Sequence, residues 1–344
     1  MVSVESLTHH GMGRLADGTL MPRVLPGEEI EVLADGSARI LVPSADRVAA
    51  PCRHFKTCGG CAMQHASDSF VSDWKRQIVE RALTGQGIGG VVGDVLTSPP
   101  ASRRRAKLAG QRTKKGAQVG FHGRGTDQLV AVPDCRLLTP ALMAGFAMLE
   151  SLTILAASRK TEVSLTVTDT LNGLDVMVGT DRALTEDLRM ELANFAQTHH
   201  MARLVWQDEV IVTLNPPAQR FGTAQVNLPP GAFLQATAHG ESALLAAVTD
   251  ITRGARRIVD LFAGCGTFTL PLARDAEVLA VEGSFASVLG GAPAAAVVFT
   301  RDVNARTAAD SAVKDLEAKL SAADTDAERA HLRVELASLR ADVR

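Results

Sequence analysis

Hydrophobic and polar positions change rhythm several times along the chain, and each change predicts a different kind of element. Over the first fifty residues short apolar runs alternate with turns. Ile30–Leu33 and Ala38–Val42, joined at Asp35-Gly36, predict a hairpin within a small β-barrel-like piece. Residues 67–83 carry apolar side chains at helical spacing (Phe70, Trp74, Ile78, Leu83), with Ser67 or Asp68 as the cap. The glycine-rich stretch from Gly85 to Gly93 reads as a loop. Residues 103–132 alternate basic and apolar as paired strands do. Residues 141–157 and 184–198 predict helices, Val163–Val167 and Leu174–Val178 a hairpin around Asn172-Gly173, and Arg203–Trp206 and Val210–Leu214 two more strands. From residue 237 the pattern becomes a helix (238–252), a strand (Ile258–Phe262), a glycine turn, a helix from Thr267 and a strand (Val278–Val281). That order predicts a βαβ unit opening a parallel sheet. In the tail, Val313, Leu316, Leu320, Ala323, Ala327, Ala330 and Val334 fall at heptad spacing, a weak seam because alanine dominates it.

At 344 residues the chain is too long for one ordinary core, and two or three domains are expected. No apolar run reaches the length of a membrane span, and Met1–His10 lacks a basic-then-apolar leader, so a cytoplasmic location with no membrane partner is expected. The net charge of −2 confines any nucleic-acid site to a local patch. Such a patch exists. No acid occurs between Asp94 and Asp127, while Arg103, Arg104, Arg105, Lys107, Arg112, Lys114, Lys115 and Arg124 all lie there. That density suits RNA phosphates, with Phe121 and His122 available for stacking; the plain alternative is a solvated hairpin face.

Cys52, Cys58 and Cys61 fall within ten residues, and Gly59-Gly60 lets the backbone turn tightly enough for the sulfurs to converge. Cys135, in Pro133-Asp134-Cys135, would supply a fourth ligand. Four thiols without a paired histidine indicate a 4Fe-4S cluster or an all-cysteine zinc site. The single CxxC knuckle with its extra cysteine upstream tilts the reading to iron–sulfur. Free thiols are the bland alternative.

The segment Ile258-Val-Asp260-Leu-Phe262-Ala-Gly264-Cys265-Gly266-Thr267 follows a strand and opens a helix, and Glu282 ends the next strand 22 residues after Asp260. Glycines permit close backbone approach to a ligand, and a carboxylate at Glu282 can accept both ribose hydroxyls of an adenosine. The third glycine of the dinucleotide fingerprint is absent, which favours S-adenosyl-L-methionine over a pyrophosphate cofactor. A structural glycine turn without ligand is the alternative.

Residues 1 to about 283 resemble the RNA 5-methyluridine methyltransferases of the 23S rRNA uracil-5 type. The resemblance rests on the CGGC cluster with its upstream cysteine and Gln64-His65, on Cys135, on Gly231-Ala-Phe233-Leu-Gln235, and on DLFAGCGTF with Glu282. It implies an α/β protein, and with the tail, which lies outside the resemblance, the chain divides into five parts. Residues 1–50 would be a TRAM-like β segment and 51–94 the iron–sulfur cysteine segment with its helix. Residues 95–230 would form a mixed α+β RNA-binding region, 231–283 a partial Rossmann-like methyltransferase domain, and 284–344 a divergent helical tail. It also implies a ribosomal RNA partner, Cys52, Cys58, Cys61 and Cys135 as cluster ligands, and Gln235, Asp260, Phe262, Gly264, Gly266, Thr267 and Glu282 around S-adenosyl-L-methionine. The family attacks C6 of uracil with a cysteine in a Ser-Cys-Asn-Pro turn, after an Asp-Pro-Pro segment. Neither motif occurs, and no cysteine follows Cys265, so the catalytic residue stays unassigned and the catalytic part is expected to be missing or replaced. Two other readings remain: a non-catalytic RNA-binding iron–sulfur protein, and a partner-binding protein that self-associates through its heptad tail.

Overall fold

A computed structural model describes residues 1–282 and 295–299, and divides the chain into two units. The first comprises residues 1–169 and 174–214; the second comprises 170–173 and the residues from 215 onward. The expected tail helix and heptad seam lie outside the described residues. No helix among the described residues is long and apolar enough to cross a membrane.

The first unit opens with a five-stranded antiparallel sheet: β1 (Val2–Leu7), β2 (Met12–Leu15), β3 (Leu20–Pro22), β4 (Glu29–Val32) and β5 (Ala38–Val42), in the order β3-β2-β1-β4-β5. Alternation sends Val4, Leu15, Met21 and Ile30 to one side, where they bury a small core with Val24. A fully buried carboxylate, Glu28, pins the sheet to the chain that follows. It accepts from the backbone N–H of Leu25 (2.8 Å) and from the Arg47 guanidinium (2.7 Å), which also donates to the Arg23 carbonyl (2.9 Å). Burial alone would push the Glu28 carboxyl up, but Arg47 and the backbone donors outweigh it and hold the group below the usual range. Helix α1 (Asp68–Gly85) starts where Ser67 Oγ accepts from the Phe70 N–H (3.2 Å). Phe70, Val71 and Trp74 pack on Leu7, Leu25, Met63 and Ala66.

The larger sheet runs β12-β11-β10-β9-β6-β7-β8, built from β6 (Arg105–Arg112), β7 (Ala117–His122), β8 (Leu129–Ala131), β9 (Glu162–Thr170), β10 (Gly173–Gly179), β11 (Arg203–Trp206) and β12 (Glu209–Thr213). The expected helix at 141–157 is two helices, α2 (Pro140–Ala144) and α3 (Phe146–Ala156), split at Gly145. Helix α4 (Glu186–Thr198) connects β10 to a parallel β11. Leu149, Leu152 and Leu192 meet Leu108, Leu165, Val176 and Trp206 in one core. Where β10 and β11 pair, Asp175 faces Arg203 in register and the two form a buried bidentate ion pair (2.9 and 2.8 Å).

In the second unit, β13 (Ala218–Phe221) and β14 (Ala224–Asn227) form a hairpin that the apolar pattern did not predict. Helix α5 (Ala238–Ile251), capped by Thr237, precedes β15 (Arg257–Leu261), the one-turn helix α6 (Thr269–Leu272) and β16 (Glu277–Glu282). β15 and β16 are parallel, as the βαβ reading requires. The expected helix from Thr267 is shorter than its pattern suggested, starting two residues later and ending at Leu272. The strand β17 (Ala295–Phe299) joins β16 antiparallel.

Candidate functional site

Two places gather the residues singled out in the sequence. In the first unit Cys52, Cys58, Cys61 and Cys135 all line one cavity, walled by Phe55, Phe121, Val132 and Leu137. Cys58 is buried and the other three are half-buried. The first cysteine segment is stitched to the β7–β8 turn. Cys58 bridges Gly123, and the Gly59 N–H donates to the His122 carbonyl (2.9 Å). A Cβ on Gly59 would sit 2.9 Å from that same oxygen, so only glycine allows the approach. Arg124 Nη2 donates to the Cys61 carbonyl (2.7 Å). A second stitch closes the opposite side: Asp134, beside Cys135, takes Arg53 (3.0 Å) and His54 (2.7 Å), both beside Cys52.

Backbone donors already point at sulfur. The Gly60 N–H faces Cys58 Sγ and the Leu137 N–H faces Cys135 Sγ, each at 3.4 Å. Gln64 accepts from the Cys52 N–H (3.2 Å). Burial pushes the Cys58 and Cys61 thiols up, and the neighbouring cysteines add to the shift. His65 is buried and stacked on Phe55 (5.5 Å between centroids). Burial holds it below the usual histidine range.

The second place is the glycine turn between β15 and α6. Gly264 and Gly266 take left-handed backbone, with φ +60° and +85°. Phe262 takes it too (φ +60°), an unusual conformation for a bulky residue and one that concentrates at functional sites. Asp260 accepts from the Thr269 hydroxyl (2.6 Å), a partner the sequence reading did not name. Glu282 accepts from the Gly264 N–H (2.6 Å), so the strand-end acid and the turn are joined. Leu234 packs with Phe221 and Leu228, and Cys265 and Leu270 lie against that cluster; Gln235, the residue after Leu234, is half-buried. Thr267 is half-buried within the turn. Burial, and then the charge of Glu282, pushes the Cys265 thiol up, which makes it a poor nucleophile at neutral pH.

The eight basic residues do not share one face. Lys107, Arg112, Lys114 and Lys115 are exposed on β6 and the turn after it. Arg103 and Arg105 are half-buried, and Arg103 Nε donates to the Arg105 carbonyl (3.1 Å). Arg104 is buried. Arg124 is half-buried on the cysteine segment. Of the two expected stacking surfaces, Phe121 instead walls the cysteine cavity, while His122 is exposed and paired with Glu162 (2.8 Å). Strand pairing decides this: Phe121 and His122 are consecutive, so they point to opposite faces of β7.

No family model matches the chain. It is 37% identical to an uncharacterized RNA methyltransferase of Caulobacter vibrioides, over 82% of this chain and 73% of that protein. It is 33% identical to the 23S rRNA (uracil(1939)-C(5))-methyltransferase RlmD of Halomonas elongata, over 83% of this chain and 66% of that protein. Among solved structures it resembles a Pyrococcus abyssi tRNA (uracil-54, C5)-methyltransferase in complex with S-adenosyl-L-homocysteine. That likeness has a TM-score of 0.60 at 19% identity and covers 83% of this chain and 73% of that one, which establishes a mixed α/β methyltransferase fold. With these relatives beside the residues described above, the chain belongs to the RNA methyltransferase family.

Proposed function

We propose that the chain belongs to an S-adenosyl-L-methionine-dependent uracil-C5 methyltransferase lineage acting on RNA, with ribosomal RNA as its substrate class and the cytoplasm as its place. The observation that carries this is the strand–turn–strand unit in which Glu282 accepts from the Gly264 N–H and Asp260 accepts from the Thr269 hydroxyl, both at 2.6 Å, around left-handed backbone at Gly264 and Gly266. Such a turn lets a nucleoside approach the backbone closely, while the acid at the end of β16 suits its ribose. Gln235, Phe262 and Thr267 complete the set assigned to the cofactor, which when bound supplies the methyl group. Lys107, Arg112, Lys114 and Lys115 are the cations best placed to neutralise RNA phosphates, with Arg103, Arg104 and Arg105 behind them. The five-stranded N-terminal sheet suits the TRAM-like role of residues 1–50.

The same reading gives the four cysteines a 4Fe-4S cluster. Zinc–sulfur bonds of about 2.3 Å in a tetrahedron require sulfurs about 3.8 Å apart. Among the described residues no three His, Cys, Asp or Glu side chains converge closely enough to hold a single ion, yet four thiols surround one cavity. A multi-iron cluster is bulky and wants its ligands arranged around it, and N–H donors aimed at sulfur suit it. The donor set fits.

As written, the 344-residue chain offers no free thiolate for addition to C6 of uracil. Four cysteines surround the cavity and Cys265 is packed in the turn with its thiol held protonated. Acid–base help alone contributes roughly a hundred- to ten-thousand-fold, too little to replace covalent activation. A non-catalytic RNA-binding iron–sulfur protein is therefore the second reading. The deciding experiment incubates the chain with labelled S-adenosyl-L-methionine and unmodified 23S rRNA, beside a relative that carries the Ser-Cys-Asn-Pro turn. We expect label in 5-methyluridine only with the relative. Label formed by this chain, persisting in Cys265→Ala, would reveal a nucleophile outside those assigned here.

A further inference from the structure

Arg124 was grouped by sequence with the phosphate-binding cations, but the structure gives it different company. Its guanidinium donates to the carbonyl of Cys61 at 2.7 Å, across 63 residues of chain. Its backbone N–H reaches the Thr57 carbonyl (3.4 Å), and its neighbour Gly123 bridges Cys58. The side chain is half-buried, unlike Lys114 and Lys115 in the preceding hairpin turn. The cavity beside it is walled by Phe55, Phe121, Val132 and Leu137 and holds four thiols.

Charge explains why a cation should sit there. A 4Fe-4S cluster on four thiolates carries a net charge of about −2 in its resting state, and burying charge in an apolar cavity is costly unless countercharge lies close. The cations near this cavity differ in how free they are to serve. Arg53 and His54 are engaged by Asp134, while Arg136 lines the cavity and Arg124 braces the CGGC segment from the β7–β8 turn.

We propose that Arg124 is a positioning residue and counter-cation for the cluster, and is not part of the RNA-contacting surface. This rests on the iron–sulfur reading above. The planar fork fixes the Cys61 carbonyl while its charge offsets that of the cluster, so the two contributions separate by substitution. Lysine keeps the charge and loses the fork geometry; glutamine loses the charge.

The test uses the full chain, purified without air, with three measurements: iron content, cluster midpoint potential, and the salt dependence of binding to single-stranded RNA. Removing a nearby positive charge disfavours the more negative, reduced cluster. Arg124→Gln is therefore expected to lower the midpoint potential and to lose iron in air about three- to tenfold faster than wild type, the range set by one lost hydrogen bond. Arg124→Lys is expected to keep the wild-type potential while losing iron faster. Both variants should retain the wild-type slope of log affinity against log salt. Equal shifts of potential in both variants would overturn the charge role, and wild-type potential and iron retention in Arg124→Gln would overturn the proposal altogether. A slope reduced by about one with the cluster undisturbed would return Arg124 to the RNA surface. Should Arg124→Gln not fold, Arg124→Lys decides by its iron loss and slope: wild-type iron retention overturns the brace. Wild-type protein without iron would instead refute the cluster reading itself.

Discussion

The cysteine cavity and the glycine turn are both places where the backbone bends tightly around glycines, yet they are finished to different degrees. The cavity draws on chain segments more than sixty residues apart, is walled by apolar side chains, and is stitched shut by Gly59, Arg124 and Asp134. The turn is made within one contiguous stretch, and its surroundings are open: Val259 and Leu261 of β15 are each 60% exposed, and Phe262 is 52% exposed. Enclosure is a tertiary property, whereas the turn depends on left-handed backbone that its own residues supply. A change in the cavity should therefore be felt across the first unit, and a change in the turn should stay local.

The largest expected effect is on the cavity. Cys58→Ser should lower iron from about four per chain to none in anaerobic preparations and lower the thermal midpoint of the first unit, because the ligand ties residues near 58 to position 135. Cys265→Ser should leave iron unchanged; iron lost equally in both would erase the distinction between the two places. Zinc in place of iron would change the identity of the centre.

Next in size is the buried ion pair that pins the N-terminal sheet to the chain that follows. Glu28→Gln leaves Arg47 without its carboxylate, and breaking a buried pair costs about 3–5 kcal/mol, readable by denaturant unfolding. The folded-state carboxyl lies below its unfolded value. Its stabilisation is thus complete above the unfolded range near pH 4.5 and is lost as pH falls through the depressed folded value. Acid unfolding of Glu28→Gln should accordingly depend less on pH in that window. A variant as acid-sensitive as wild type would assign the acid response to other carboxylates.

Smaller again is the RNA surface. Replacing Lys107, Arg112, Lys114 and Lys115 with alanine should reduce the slope of log affinity against log salt by about 3 on single-stranded RNA. An unchanged slope would leave those residues as a solvated face. The smallest effect belongs to the turn. At Gly264 an added Cβ meets nothing but φ is +60°, so Gly264→Ala should cost about 1 kcal/mol from backbone conformation alone. At Gly266 the added Cβ would also come within 3.0 Å of Leu270, and the loss should be larger. Reversal of that order would mean that contacts absent from the turn itself dominate its stability.

Most of the fold was legible in the order of residues because its signals are local. The Ser67 cap, the Asp35-Gly36 hairpin, the parallel β15–β16 unit and the clustered cysteines each lie within a short window, where periodicity, turn chemistry and capping act directly. The β13–β14 hairpin escaped because Ala218–Phe221 and Ala224–Asn227 hold one aromatic and one β-branched residue between them, too little for a strand signal. What the sequence by itself determined is which groups are available: five cysteines, one acid-free basic stretch, a glycine turn, an acid at the end of β16, and no Ser-Cys-Asn-Pro motif. The tertiary structure decided which of them meet. It brought Cys135 to the other three, divided the basic residues between an exposed set and those buried or holding backbone, and turned Phe121 toward sulfur. Whether a charge faces water or a carbonyl depends on strand register and on packing between distant segments, and no local window of sequence contains that information.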